Sequence, residues 1–309
     1  MIMNNQDELN KLVSVHLGKA GDGTVVKPYV TPDEVDPSLL VSVPRSLNRE
    51  QYGIEEGNLP FAGCDAWNAY EFSTLLKNGF PVSGWLKFSY SSSTPNIVES
   101  KSVKLYLNSY NMACVIEELQ DLWRLEDKIA ADLSRAVGGE VDVCLFLGDV
   151  DTTRPIIGDF TALETYCNVG GMEFNDYNES ADILEVVPSI GRYERWRSNS
   201  LRSNCRVTNQ PDWGDVYIHI KGDQSVTPES LLRYIISMRR ENHFHEEICE
   251  CIYKRIKDLI NPKELFVACL YTRRGGIDIN PVRATDSRLM HVYGAIVNAG
   301  LPCTKTARQ

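Results

Sequence analysis

Hydrophobic and polar residues alternate along two neighbouring segments in the first half of the chain. Asp65–Phe72 and Val82–Ser89 are rich in aromatic residues and partly alternating, as expected of strands with one buried face. Asn78-Gly79 lies between them and is typical of a turn. This part of the sequence therefore predicts an antiparallel hairpin.

A helical pattern follows. Apolar residues recur at helical spacing from Met112 to Val137, and Gly138-Gly139 predicts the end of that helix. The apolar run Val141–Leu147 then predicts a buried strand. The first half thus has two strands, a helical segment and a further strand.

The second half of the chain repeats this order. The predicted segments are the strands Arg206–Asn209 and Asp215–Ile220, a turn at Lys221-Gly222-Asp223, a helix opened by Thr227-Pro228-Glu229, a helix from His245 to Leu259 ended by Asn261-Pro262, and the strand Leu265–Leu270. The repetition indicates an internal duplication with low identity.

The length of 309 residues agrees with about two domains, for which we expect the ranges 1–150 and 151–309. The first sixty residues are rich in Asp, Pro, Asn and Gly and predict an irregular lead-in that is not packed. Residues 152–198 predict a connector with one or two strands.

Charge and cysteine content narrow the class of protein. The net charge of −10 disfavours nucleic-acid binding, and no apolar run approaches the length of about 20 residues that a membrane helix needs. No signal peptide is visible at the N-terminus. The nine cysteines lack disulfide spacing, which favours reduced thiols and a cytoplasmic location.

One cysteine lies in a polar setting. Arg202 and Arg206 flank Cys205 and would favour its nucleophilic thiolate form. Asp212 follows in a predicted Pro-Asp-Trp-Gly turn, where burial beside Trp213 would keep its carboxyl protonated and able to donate a proton. The alternative is a structural cysteine at a strand edge and an aspartate that only supports a turn.

A second cluster, Glu241–Glu247, combines two histidines with carboxylates at a predicted helix start. It can form an acid–base site, and Phe244 can stack on a flat heterocycle. The alternative is a solvated helix end. His243 and His245 point to different sides of a helix and no CxxC pair exists, so zinc is not supported.

Two further segments suit phosphate groups. Lys101 and Lys104 lie one helical turn apart in Val98–Tyr106, and Glu99 can accept two N–H donors from a guanine edge. Arg273 and Arg274 precede two glycines in Tyr271–Pro281. An amphipathic turn and an ordinary loop are the alternatives. No GxGxxG or GxxxxGK[ST] motif is present, so a nucleotide would be held outside a Rossmann or P-loop frame.

Taken in order, these segments resemble the QueF family, the NADPH-dependent 7-cyano-7-deazaguanine reductases (nitrile reductases) of queuosine biosynthesis, in its two-module form. The resemblance covers roughly Leu59 to Arg283. The matching segments are Glu99-Ser100-Lys101-Ser102-Val103-Lys104-Leu105-Tyr106, Ser203-Asn204-Cys205 with Gln210-Pro211-Asp212-Trp213-Gly214, Phe244-His245-Glu246, and Tyr271-Thr272-Arg273-Arg274-Gly275-Gly276-Ile277-Asp278-Ile279-Asn280-Pro281.

The resemblance implies an α+β protein with tandem tunnelling-fold (T-fold) modules, in which antiparallel sheets carry paired helices on one face. It also implies NADPH as the cofactor, 7-cyano-7-deazaguanine as the substrate and a homodimer. Cys205 would form a thioimidate with the nitrile, Asp212 would protonate the nitrogen and His245 would assist proton transfer. Neither a nucleic acid nor a membrane is implied as a partner.

The resemblance also implies the binding residues. Glu99 and Glu246 would hold the guanine-like edge of the substrate while Phe244 covers the ring. The implied contacts to the cofactor phosphates are Ser100, Lys101, Lys104, Arg273, Arg274 and Gly275.

Three other functions remain open on the sequence. A thiol-dependent nitrile or amide hydrolase needs a Lys and a Glu at the thiol, and no Lys lies close to Cys205 in the sequence. A cyclohydrolase of the same fold usually needs zinc ligands that are absent here. A non-catalytic purine- or pterin-binding protein would use Glu246 and Phe244 with an inert Cys205.

Overall fold

The computed structural model describes residues 34–148, 150, 159–206, 208–302 and 309. Most of the predicted lead-in, Val207 and Cys303 lie outside these residues. The strands are β1 Ser42–Pro44, β2 Ala62–Leu76, β3 Pro81–Ser91, β4 Asn96–Val98, β5 Cys114–Ile116, β6 Val141–Leu147, β7 Thr161–Ala162, β8 Val186–Pro188, β9 Glu194–Cys205, β10 Pro211–Lys221, β11 Gln224–Val226, β12 Asn242–His243, β13 Glu264–Tyr271 and β14 Ile277–Ala284.

Helices occur in both halves, with short 3-10 turns between several elements. The α-helices are α1 Ser46–Arg49, α2 Ser100–Asn108, α3 Leu122–Val137, α4 Leu163–Tyr166, α5 Pro228–Ser237, α6 His245–Ile260, α7 Ser287–Val292 and α8 Gly294–Val297. Thr227 caps α5 by accepting a hydrogen bond from the Ser230 amide at 3.2 Å, as its sequence predicts.

One ten-stranded sheet joins the two halves. Its main path runs β12-β9-β10-β13-β14-β2-β3-β6, with β5 paired to β2 and β7 to β9. The order β2-β3-α2-α3-β6 in the first half recurs as β9-β10-α5-α6-β13 in the second. Antiparallel pairing of β14 with β2 places Ile279 opposite Trp67, so the halves meet at the centre of the sheet. The predicted α+β class with antiparallel sheets is confirmed.

The sheet has two differently covered faces because side chains alternate along each strand. On β13, Val267 and Cys269 pack in the core formed with α5 and α6, whereas Phe266 and Ala268 pack on the opposite face. That opposite face is covered by residues of α7 and α8, such as Leu289 and Ile296. These two helices add a C-terminal layer that the sequence patterns did not reveal.

The long predicted helix begins later than expected. Helix α3 starts at Leu122, whereas the sequence prediction started at Met112. The Ala113 carbonyl accepts hydrogen bonds from the Leu75 amide at 3.0 Å and the Thr74 hydroxyl at 2.9 Å. This pairing with β2 keeps the chain extended, so the helical spacing before Leu122 was misleading. The predicted end at Gly138, with φ of 75°, is confirmed.

The segment around the cysteine also differs from its prediction. Strand β9 ends at Cys205 and β10 begins at Pro211, and the described residues Arg206, Thr208 and Asn209 of the predicted strand belong to no strand. Asn209 has φ of 56°, a left-handed conformation that asparagine tolerates and a strand does not use. The Pro-Asp-Trp-Gly segment is the start of β10, not a turn, with Asp212 opposite Ser203.

The lead-in is packed where it is described, which corrects the sequence prediction. Tyr52 and Ile54 belong to the core of the second half. Arg49 is buried and donates to Glu250 on α6. The prediction failed because these contacts join residues about two hundred positions apart.

Candidate active site

A cavity of about 330 Å³ lies at the junction of β14 and β2. Both halves of the chain contribute to it. Its lining includes all but one of the predicted site residues, namely Glu99, Ser100, Lys101, Lys104, Cys205, Asp212, Phe244, His245, Glu246, Arg274 and Gly275. The chain therefore brings into one place four segments that are far apart in the sequence.

Cys205 occupies the last position of β9, at the wall of this cavity. Its amide donates to the Gln210 carbonyl at 2.8 Å, and its carbonyl accepts from the Asn209 amide at 2.9 Å. His243 of β12 lies beside it in parallel register. The thiol is thus fixed by backbone pairing on both sides, and it is only partly buried.

The cation beside the thiol comes from the other half of the chain. The Nζ atom of Lys101 lies 4.0 Å from the Cys205 Sγ atom and 3.7 Å from an oxygen of Glu99. The absence of a nearby lysine in the sequence was therefore misleading, because Lys101 precedes the cysteine by 104 residues.

The two arginines that flank the cysteine in sequence have other partners. Arg206 donates to Glu247 on α6 at 2.6 Å. Arg202 donates to the Arg239 carbonyl at 2.7 Å and lies over the Trp213 ring. Arg206 therefore anchors the loop after the thiol to the start of α6, a role that the sequence did not reveal.

Asp212 is buried and held by two basic side chains. One carboxylate oxygen accepts a hydrogen bond from Arg274, and the other lies 3.4 Å from Nε2 of His245. Burial alone would raise the pKa of Asp212, but the hydrogen bonds and charges of His245 and Arg274 outweigh it and lower the pKa. The prediction that Asp212 stays protonated in the free protein is wrong.

His245 is the first residue of α6 and is oriented by an aromatic ring. It stacks on Tyr271 with ring centroids 3.7 Å apart and an interplanar angle of 7°. Stacking fixes the plane of the imidazole, so that Nε2 faces Asp212. Its Nδ1 atom is buried without a hydrogen-bond partner among the described residues.

Glu246 is a buried carboxyl at the cavity wall. Its Oε1 atom has no hydrogen-bond partner within the described part of the chain. Burial raises the pKa of Glu246 to about 8, and the nearby charge of Asp65 adds to the effect. Buried polar atoms are usually paired, so a free oxygen facing a cavity suits a ligand that brings N–H donors.

A buried ion cluster supports the helix that carries His245 and Glu246. Glu250, one turn further along α6, accepts from Arg49 at 2.7 Å and from Arg283 at 2.9 Å. Arg283 also donates to Asp65 on β2 at 2.8 Å. The cluster ties α6 to both halves of the sheet and so fixes the position of the site residues on its first turn.

Glu99 has a structural role besides its place in the lining. It is the N-cap of α2, where one carboxylate oxygen accepts from the Ser102 amide at 2.8 Å. The other oxygen lies 3.5 Å from the Ser100 hydroxyl. Capping orients the start of α2 toward the cavity and with it Ser100 and Lys101.

The Arg-Arg-Gly-Gly turn lies next to Lys104 of α2 and brings the guanidinium of Arg274 to the cavity. Gly275 has φ of +59°, a left-handed conformation that favours glycine. A side chain at this position would meet the Nζ atom of Lys104 at 3.0 Å, so Lys104 lies close to the turn. Arg274 also donates to the Gln210 side chain at 2.5 Å. Arg273 is the predicted residue outside the lining: its guanidinium lies 3.7 Å from the centre of the Tyr70 ring.

Several lining residues are not among the predicted site residues, although most of them lie within the matching segments. Trp67, Ile277 and Ile279 come from the two central strands and form an apolar wall. Their aromatic or aliphatic character is equally typical of a core, so only the pairing of β14 with β2 reveals their position. Gln210 and Thr272 complete the polar side of the cavity.

The described ranges lack both a cluster of potential metal ligands and a helix that could span a membrane. These residues contain no group of three or more His, Cys, Asp or Glu side chains that could hold a metal ion. In the same ranges no helix has both the length and the apolar character needed to cross a membrane. No disulfide bond joins any of the eight cysteines within these ranges.

Comparisons with known proteins agree with the motifs. Residues 31–145 match a family described as "Nitrile reductase, 7-cyano-7-deazaguanine-reductase N-term", and residues 211–289 match "QueF-like protein". The chain is 42% identical over 256 residues to an NADPH-dependent 7-cyano-7-deazaguanine reductase of Rickettsia massiliae (strain Mtu5), covering 82% of this chain and 89% of that protein. It is also similar to the solved archaeosine synthase QueF-Like in the apo form, at 19% identity and a TM-score of 0.27, over 32% of this chain and 91% of that one.

Proposed function

Since the chain belongs to the family of NADPH-dependent 7-cyano-7-deazaguanine reductases, we propose that it reduces the nitrile of 7-cyano-7-deazaguanine to the primary amine of 7-aminomethyl-7-deazaguanine. The reaction serves the formation of queuosine in tRNA. The observation that carries the proposal is the single cavity that unites the thiol of Cys205, the carboxyls of Asp212 and Glu246 and the cations Lys104 and Arg274.

Cys205 is the nucleophile. A nitrile carbon accepts hydride poorly, and addition of a thiolate converts it into an imine-like centre that accepts hydride readily. The sulfur forms a bond to the nitrile carbon while one π bond of the triple bond breaks, which gives a covalent thioimidate. The partial exposure of Cys205 at the cavity wall agrees with this role.

Asp212 transfers the proton. Because its pKa is lowered, Asp212 is a carboxylate in the free protein and can accept the thiol proton of Cys205. It then donates that proton to the nitrile nitrogen as the carbon–sulfur bond forms. His245 is a hydrogen-bonding partner of the carboxylate at 3.4 Å and assists the transfer.

When bound, NADPH would supply one hydride to each of the two C=N species, and each reduction would also take up one proton from solvent, so two molecules of NADPH would be used for one amine. The protein keeps the former nitrile carbon electrophilic as the thioimidate. After the first reduction, the thiol of Cys205 is released and the resulting imine stays bound in the cavity. The apolar wall of Trp67, Ile277 and Ile279 limits access of water to these hydrolysable species.

Glu246 and Glu99 recognise the substrate. A guanine-like edge presents N–H donors, and these would satisfy the unpaired Oε1 atom of Glu246. Phe244 is half-buried at the start of α6 and covers the ring. When Glu246 is ionised, it and Glu99 present only hydrogen-bond acceptors, so they select a heterocycle with adjacent N–H donors and reject one that has acceptors at the same positions.

The residues present fit a dinucleotide phosphate. Lys104 and Arg274 are cations on the cavity lining, and the positive φ of Gly275 brings its turn close to Lys104. Ser100 lies at the first turn of α2, where backbone N–H groups favour anions. We assign the cofactor phosphates to these residues and to Lys101. Arg273 is predicted in the same role, but it lies outside the cavity lining, so we do not assign a cofactor phosphate to it.

The stoichiometry of the reaction tests this function. With purified protein, 7-cyano-7-deazaguanine and NADPH, we expect two NADPH to be oxidised for each amine formed, with no release of ammonia. Ammonia release without NADPH oxidation would contradict the proposal. Cys205→Ala should lose turnover, whereas the control Cys114→Ala, which removes an exposed thiol, should keep it. This pair of results would tie the reaction to this site.

A thiol-dependent nitrile hydrolase is the second candidate. Lys101 and Glu99 both lie at the cavity, with Lys101 Nζ at 4.0 Å from the thiol, so the groups that such an enzyme needs are present. Family membership and the additional cations favour reduction. Ammonia release distinguishes the two, and a pure binding protein would form no adduct at all.

We further propose a homodimer in the cytoplasm, without a nucleic-acid or membrane partner, in line with the acidic net charge. The ranges 1–150 and 151–309 are proposed as two T-fold modules, each with two strands, two helices and a further strand in the same order. Tyr52 and Ile54 of the first range pack into the core of the second, so the modules are interlocked.

A further inference from the structure

The two lysines of the Glu99–Tyr106 motif have different neighbours. The Nζ atom of Lys104 lies so close to the turn at Gly275 that a side chain at that position would meet it at 3.0 Å. The Nζ atom of Lys101 lies 4.0 Å from the sulfur of Cys205. One turn of helix thus separates a lysine next to the proposed cofactor loop from a lysine next to the proposed nucleophile.

The fold holds Lys101 in this position from both sides. Glu99 caps α2 through the Ser102 amide at 2.8 Å, and its second oxygen lies 3.7 Å from Lys101 Nζ. Cys205 is fixed at the end of β9 by its pairing with Gln210 and Asn209. The Lys101 side chain remains 51% exposed, so it is placed by these contacts without being part of the core.

We infer that Lys101 is a catalytic residue of the thiol chemistry: its ammonium stabilises the Cys205 thiolate that attacks the nitrile carbon. In this step the carbon–sulfur bond forms, one carbon–nitrogen π bond breaks, and the thiol proton passes through Asp212 to the nitrogen. Lys101 remains protonated throughout and no electrons are exchanged with it. The inference rests on the proposed function for the identity of the electrophile.

The expected size of the effect follows from charge and exposure. A cation beside a thiol raises the population of the thiolate, the reactive form. For a unit charge at this distance near a protein surface, we expect a change in reactivity of about tenfold at neutral pH. The effect should vanish at high pH, where the thiol is ionised with or without Lys101.

Alkylation of Cys205 measures this without substrate or cofactor. The full-length protein is treated with iodoacetamide over a range of pH, and modification of the Cys205 peptide is followed by mass spectrometry. In Lys101→Met we expect alkylation to be about tenfold slower at neutral pH, its midpoint to move to higher pH and its high-pH rate to be unchanged. Lys101→Arg keeps the charge and should restore the wild-type profile.

The control is Lys77→Met, which removes an exposed lysine paired with Glu117 at 3.1 Å and should leave alkylation unchanged. Thermal unfolding of each variant confirms that it is folded. If Cys205 in Lys101→Met is alkylated at the wild-type rate at every pH, and the variant shows only a higher KM for NADPH, the inference is overturned. Lys101 would then be a cofactor contact only. A rate that is equally low at high pH would also overturn it, because altered access rather than charge would then be the cause.

The inference and the proposed function fail separately. If wild-type protein forms no adduct with 7-cyano-7-deazaguanine, the proposed function is wrong. A charge-dependent alkylation of Cys205 would still support activation of the thiol by Lys101.

Discussion

The Nε2 atom of His245 lies 3.4 Å from Oδ2 of Asp212, while Arg274 donates to the other oxygen of the same carboxylate. A carboxylate held between two basic groups stays ionised, as its lowered pKa reflects. In the proposed mechanism, this carboxylate accepts the proton of a thiol before it gives that proton to a nitrogen. This order of events leads to the first two predictions.

We predict that Asp212→Asn forms the covalent adduct about a hundredfold or more slowly than wild type, because the amide cannot carry the proton. Rapid mixing with the nitrile, followed by intact-mass analysis without NADPH, measures the rate. Asp258→Asn is the control, since Asp258 is exposed and pairs with Lys254. An Asp212→Asn rate equal to wild type would remove Asp212 from the proton path.

Arg274→Met should shift the pH dependence of adduct formation. Arg274 lowers the pKa of Asp212, so its removal raises that pKa, and the loss of activity on acidification should begin at a higher pH than in wild type. The measurement omits NADPH, so a weakened cofactor contact cannot account for the change. Arg288→Met, which removes an exposed guanidinium paired with Asp286, should not alter the profile.

Substrate affinity should increase as the pH rises through about 8, the pKa to which burial raises Glu246. Below this pH the carboxyl is protonated and cannot accept two N–H donors, so binding must displace a proton. Calorimetry on Cys205→Ala measures binding without adduct formation. In Cys205→Ala combined with Glu246→Gln, binding should be weaker and the rise with pH should disappear. A rise that persists would point to another group.

Arg283→Met should destabilise the protein strongly. Arg283 is fully buried and pairs with Asp65 and Glu250. Its removal takes a guanidinium partner from each of these buried carboxylates and leaves only Arg45 and Arg49 beside them, at a cost of about 3–5 kcal/mol. Urea denaturation measures the free energy of unfolding. Lys263→Met breaks the exposed pair with Asp223 and should cost less than about 1 kcal/mol. Equal effects would mean that the buried cluster contributes little.

Local sequence patterns predicted much of the fold. The strand Val141–Leu147 and the helix from His245 were found because periodicity and end signals such as Asn261 act within a few residues. The start of α3 was wrong because pairing of Cys114 with β2 depends on a distant strand. The layer formed by α7 and α8 was missed because short helices carry weak periodic signals.

The motifs led to most of the site residues, but their physical state could not be predicted. The sequence predicts a neutral Asp212 because Trp213 is its only informative neighbour along the chain, whereas Arg274, which lowers its pKa, lies 62 residues away. The resemblance implies only a cofactor contact for Lys101, because nothing in the sequence places this residue next to Cys205. Sequence patterns supply the chemical groups, and the long-range pairing of strands determines which of them meet.

The central claim is that Cys205 forms a covalent bond to the nitrile before reduction. Intact-mass analysis of the wild-type protein, mixed with 7-cyano-7-deazaguanine in the absence of NADPH, tests it directly. We predict a mass increase of one nitrile molecule per chain, its absence in Cys205→Ala and its disappearance when NADPH is added. A wild-type protein that shows no adduct, or a Cys205→Ala variant that keeps full turnover, would contradict the account.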